Sequence, residues 1–251
     1  MAVQIIPSAE TDGAVASYGS TSWAGERDAT TGNNVFEDVE DVNLAIAGEF
    51  QAGRGSGTWN VRRSFFAFDT STISSSFSVS EVALTVTGDP ATGYVSGSIM
   101  VVKADKPDLS TDIAVADIDA ITGYSAGNSM AGNVTDYVDS FYPSGSWSDS
   151  GANTITLNAT ARADVKSLDV FKLALVNYRY DYLNVDPNDG NPSEANGLKF
   201  AETSYEPHRP SIRVIYTEGY GNKVCGADAQ KVGKIAGIAS ANVDKVLGAD
   251  D

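Results

Sequence analysis

Residues 80–89 read SEVALTVTGD, and this stretch decides the fold. Val82, Leu84 and Val86 fall on one side of an extended chain, and Ala83, Thr85 and Thr87 on the other. Period-two alternation carried by β-branched residues and stopped at Gly88-Asp89 predicts a strand with one buried face. Upstream, RRSFFAFDTS (62–71) gathers Phe65, Phe66 and Phe68, which are expected in the core rather than on a surface that stacks sugars. Downstream, SGSIMVVKAD (96–105), NTITLN (153–158) and GLKFAE (197–202) are further strand candidates. RPSIRVIYTEG (209–219) sets Ile212, Val214 and Tyr216 against Arg213, Ile215 and Thr217, with Pro210 at a strand start, where a missing N–H costs no ladder bond. NLAIAGEF (43–50), ended by QAGRGSGTW, is another candidate strand. VFKLALVNYRYDYLNV (170–185), rich in β-branched and aromatic residues, predicts a long one.

Helical signals are few. DLSTDIAVADIDAIT (108–122) places Ile113, Val115, Ile118 and Ile121 at helical spacing behind Ser110 or Thr111 as N-cap. NATARADVKSLDV (158–170) predicts a short helix after a strand. Short strands separated by turn residues suggest a sandwich or barrel rather than βαβ units. No composition break divides residues 1–218, which are read as one domain; residues 219–251 read differently and are treated separately.

Apolar residues make up 42% of the 251, ample for a core. The 33 acidic and 17 basic residues leave a net charge of −16, which argues against a nucleic-acid groove. No run is long and apolar enough to predict a membrane span, and MAVQIIPSAETDG lacks the pattern of a secretory signal. The expectation is therefore a chain made in a cytosol.

Three segments carry a resemblance. RRSFFAFDTSTISSSFSVSEVALTVTGD (62–89) resembles the R-S-F-L-x-F-D-L-S-x-I … I-x-S-A-x-L-x-L segment of DNRLRE-like, carbohydrate-binding-module-like jelly rolls. HRPSIRVIYT (208–217) is similar to their closing strand, R-P-x-L-x-V-x-Y, and GSWSDSGANTITLNATARADV (145–165) is similar to the region between in phage and marine bacterial relatives. The resemblance implies a jelly-roll sandwich and leaves its use open, because the same scaffold serves as glycan binder, adhesin or spacer. Within it, Arg63 is expected either at the surface or pinning a strand end through a carboxylate such as Asp69.

Chemistry-bearing constellations are sparse. His208 and Cys225 are the single histidine and the single cysteine, so a nucleophile–base pair could be completed only through His208, and a zinc site lacks ligands. Carboxylates are too numerous for any pair to be distinctive, which leaves a polysaccharide-degrading enzyme as a third-ranked expectation. GRGSG (53–57) lacks the lysine and helix of a phosphate loop. In NVDPNDGNPSE (184–194), Asp186, Asn188 and Asp189 offer the hard oxygens that calcium takes, or form an Asx-rich turn.

The final segment, KVCGADAQKVGKIAGIASANVDKVLGADD, repeats Lys223-Val224-x-Gly226, Lys234-Ile235-x-Gly237 and Lys245-Val246-x-Gly248 every eleven residues. Eleven residues make nearly three helical turns, but the glycines break a continuous helix. Broken short helices are expected, with Ser240 as an N-cap and Gly237-Ile238 closing KIAGI. The segment resembles the K-V-N-G-V-A repeats that end many phage structural and marine bacterial surface proteins, implying a docking tail; a plain linker is the alternative. The leading expectation is a non-enzymatic virion structural protein of a tailed phage, such as a capsid decoration, head-fibre or tail-associated adhesin subunit. Its partners would be other virion proteins through the tail, with a homo-oligomer in a symmetric assembly. A carbohydrate-binding module or lectin meeting cell-surface glycan is the rival.

Overall fold

In a computed structural model the described residues are 1–36, 48–51, 59–90, 94–187, 193–200, 208–218 and the pairs 234–235 and 238–239. Apart from a separate two-stranded pair in the final segment, they form two antiparallel sheets. The first is built on β6 (Ser78–Asp89), the strand of the alternating segment. It pairs with β11 (Ser211–Thr217), which pairs in turn with β1 (Ala2–Pro7); β8 (Ala152–Thr156) and β10 (Gly197–Leu198) also pair with β6. The second sheet runs β3 (Asn34–Phe36), β2 (Gly13–Tyr18), β5 (Asn60–Asp69), β9 (Val170–Asn177), β7 (Ile99–Lys103), with β4 (Gly48–Gln51) also on β5. The inner faces share one core: Val82, Leu84, Val86, Ile212 and Val214 from the first sheet meet Phe66, Phe68 and Leu173 from the second. This is a β-sandwich. The pairings fix its two sheets without singling out jelly-roll wiring.

Alternation in the sequence matches burial. Val82, Leu84 and Val86 are fully buried while Thr85 and Thr87 are half-exposed. Ala83, on the outer face, is nonetheless covered, lying between Arg213 of β11 and Thr156 of β8 in the register. Phe65, Phe66 and Phe68 are all fully buried, as expected of core residues. Gly88 is required by a close approach, since a Cβ there would lie 1.7 Å from the Ser148 carbonyl oxygen.

Helix α2 (Ala159–Ser167) follows β8 as expected, with the Asn158 side chain accepting from the Ala161 N–H. A second helix, α1 (Trp23–Arg27), capped by Ser22, was not expected from the sequence. The helix expected over 108–122 is absent: only Val115–Asp117 makes a 3-10 turn. Of the four residues at helical spacing, Ile113, Ile118 and Ile121 are buried and Val115 is exposed, so the spacing marks three buried positions without helical geometry. The backbone there is taken by tertiary bonds: Thr11 Oγ1 donates to Asp108 O, Ile113 N donates to Thr11 O, and Ile121 bridges Ala104. The long strand expected over 170–185 ends at Asn177 and becomes a π-helical turn, Tyr178–Tyr182. Asn177 causes the switch locally, its side chain accepting from the Tyr180 N–H at 2.9 Å. In the final segment β12 (Lys234–Ile235) pairs antiparallel with β13 (Ile238–Ala239). Ile235 and Ile238 thus lie in paired strands, which corrects the helix ending expected at Ile238; Ala236, Gly237 and Ser240 lie outside the described residues.

Candidate functional site

A constellation of charged side chains lies inside the molecule. Arg63, on β5, is fully buried and meets Asp181 of the π-helical turn with both ends of its guanidinium: Nε donates to Oδ2 and Nη2 to Oδ1, each at 2.8 Å. Its Nη1 donates to Ile118 O at 2.8 Å and Nη2 also to Arg27 O at 3.0 Å. Arg27, equally buried at the end of α1, donates from Nε to Asp181 O and from Nη1 to Asp28. The Tyr124 ring lies under both guanidiniums, 4.6 Å from Arg63 and 5.4 Å from Arg27. Burial pulls the Arg63 guanidinium toward neutrality, but the charge and hydrogen bonds of Asp181 outweigh it and raise its pKa above the ordinary arginine value. Both expectations for Arg63 are therefore corrected: it is buried rather than at the surface, and its carboxylate is Asp181 rather than Asp69. Asp69 is exposed and accepts from Ser71, which holds its carboxyl below the usual range. The Arg63 cluster ties α1, β5, the 118–124 loop and the π-helical turn together.

A second constellation faces outward. The Phe141 and Tyr178 rings stack at 4.2 Å between centroids, and Tyr178 stacks on Tyr182 at 5.8 Å. The π-helical turn builds this ladder, because residues four apart on it share a face. Its inner end is fixed where the Tyr182 hydroxyl donates to Asp136 Oδ2 at 2.8 Å. Burial raises the Asp136 carboxyl above its ordinary value despite that bond, and raises the Tyr182 hydroxyl further still. The outer end is open, with Phe141 38% exposed. No signal in the sequence joins Phe141 to the tyrosines, since the contact spans two separate loops. Tyr180, between them in sequence, turns the other way into Trp23, Trp59 and Val61.

The residues singled out in the sequence are dispersed. Asp186 is exposed beyond the π-helical turn, while Asn188 and Asp189 lie outside the described residues. Among the described residues no group of three or more His, Cys, Asp or Glu side chains is placed to hold a metal. His208 is half-buried at the entry to β11. Of the tail residues, Lys234 and Ile235 lie in β12; Lys223, Val224, Gly226, Gly237, Lys245, Val246 and Gly248 lie outside the described residues. Among the described residues no helix is long and apolar enough to cross a membrane. No family model and no curated protein sequence matches this chain.

Proposed function

We propose that the chain is a non-enzymatic structural subunit of a tailed-phage virion, in which a jelly-roll sandwich (residues 1–218) is held in the assembly by residues 219–251. The observation that carries this reading is the position of β11. It lies between β1 and β6, hydrogen-bonded on both sides, and ends at Thr217. The strand β11 is thus already paired on both sides before the eleven-residue recurrence of lysine and glycine begins at Lys223. A recurrence of small apolar residues and lysines buries little surface alone and needs a neighbouring one. In a chain of net charge −16, its lysines suit an acidic neighbour. The rigid buried tie at Arg63 fits a part whose work is position rather than turnover. A chain truncated after Glu218 should fold cooperatively yet be missing from gradient-purified particles. Normal incorporation of the truncated chain refutes docking, and its failure to fold makes the tail part of the core.

The aromatic ladder favours a second reading, a glycan-binding module. A stacked, pre-ordered ring with one open face loses little freedom when a sugar ring lies on it. Phe141→Ala should then abolish glycan-array binding without changing the melting temperature. Retained binding, or none by the native chain, removes this reading.

A further inference from the structure

Strand β1 is an open edge. It pairs with β11 on one side, and among the described residues nothing pairs with its other side. Ser8 N donates to Pro210 O at 2.8 Å, which fixes the parity: even-numbered residues bond to β11. The N–H and C=O groups of Val3 and Ile5 therefore point away from the sheet. Their side chains are open too, 60% and 67% exposed on the outer face. Ile215, opposite Val3 in the register, extends the apolar strip onto β11. The strand, AVQIIP, has no charged residue in a chain of net charge −16. Natural edges are usually blunted by lysine, a bulge or an inward charge; here only Pro7, at the strand's end, interrupts the donors.

We propose that this edge is an interface between two copies of the chain, the two β1 strands pairing antiparallel about a two-fold axis at Gln4. In this register Val3 lies opposite Ile5 of the partner subunit, and Ile5 opposite Val3 of the partner subunit. Both positions carry outward-pointing backbone groups, so each facing pair exchanges both of its N–H···O bonds. On the outer face two valines and two isoleucines come together. A second copy is the fitting occupant because the edge is self-complementary about Gln4. The contact also places no charge opposite a like charge, which for two strongly acidic molecules is the condition for close approach. Pro7 has no N–H to offer and ends the pairing, and a two-fold contact of one patch with itself closes at the dimer. The proposal stands apart from the virion reading, since it concerns the free protein in solution.

Sedimentation equilibrium on the full chain tests it. A reversible monomer–dimer equilibrium is expected. Val3→Lys with Ile5→Lys, both at exposed positions, should raise the dissociation constant by about tenfold or more, because each lysine then opposes another across the axis. A cooperative melting transition, matching the native chain's at a concentration too low for it to dimerise, verifies that the monomer still folds. In a Cys225→Ser background, Gln4→Cys should cross-link to a disulfide dimer on oxidation. A non-hydrogen-bonded antiparallel pair at the axis sets the two Cα atoms about 4.5 Å apart, within disulfide reach. Ala2→Cys, which would face Ile6 of the partner subunit, should not cross-link. A chain monomeric at every concentration, a dimer indifferent to the two lysines, or equal cross-linking at positions 2 and 4 overturns the proposal.

Discussion

Asp181→Asn tests how the sandwich is held at its most charged point. The substitution preserves shape but removes the negative charge that two buried arginines share. Arg63 would keep its bonds to Ile118 O and Arg27 O, yet its guanidinium would stand uncompensated at a site where both side chains are at most 1% exposed. Titration offers no relief, because an arginine does not give up its proton at accessible pH. Breaking a buried pair from one side costs about 3–5 kcal/mol, against at most about 1 kcal/mol for an exposed pair. For a domain of this size the melting temperature should fall by roughly 6–20 °C. Urea denaturation of the single variants and of Arg63→Met with Asp181→Asn completes a double-mutant cycle. The double variant should lose less than the sum of the singles, since removing the second charge removes the penalty left by the first. A loss below about 1 kcal/mol, or an additive cycle, would refute a dry, coupled cluster.

Asp136 supplies a pH dependence. Burial raises its carboxyl above the ordinary 3.8, so the folded chain holds this proton more tightly than the unfolded chain does. Its stabilising contribution is full below that ordinary value and lost as pH rises through the folded one. Asp136→Asn does not titrate, so its stability relative to the native chain should improve as pH rises through the carboxylate range; a difference flat in pH contradicts this. Calcium provides a further check, by melting curves with and without chelator. If Asp186, Asn188 and Asp189 hold the ion, added calcium raises the melting temperature by mass action, and an unchanged curve leaves the loop an Asx-rich turn.

The strands were legible because burial on one face writes a period of two into the sequence, as at Val82, Leu84 and Val86. The same logic misled at 108–122. There Ile113, Ile118 and Ile121 are buried as their spacing implied, but an irregular loop laid across the sheet edge buries them as well as a helix would. Periodicity reports which residues leave water, and the backbone's hydrogen-bond partners decide the conformation. Those partners were distant in sequence: Thr11 for Asp108 and Ile113, Ala104 for Ile121. Arg63 presents the same difficulty. The sequence marked it as a charge entering a core strand, and the nearest acid along the chain, Asp69, was the natural partner. Asp69 sits at the exposed end of β5, however, where it caps its own turn through Ser71. The acid that pairs with Arg63 arrives 118 residues later, on a turn that forms because Asn177 diverts β9. That diversion also creates the aromatic ladder, since a strand continued through Tyr178 and Tyr182 would have spaced those rings along the sheet instead of stacking them. One local choice at Asn177 therefore settles both constellations: it turns Asp181 inward to close the core and leaves Phe141 and Tyr178 stacked at the surface. An Asn177 substitution that restored a regular strand would cost stability and surface aromatic order together, because the buried Arg63–Asp181 tie and the stacked rings at the surface are set by the same residue.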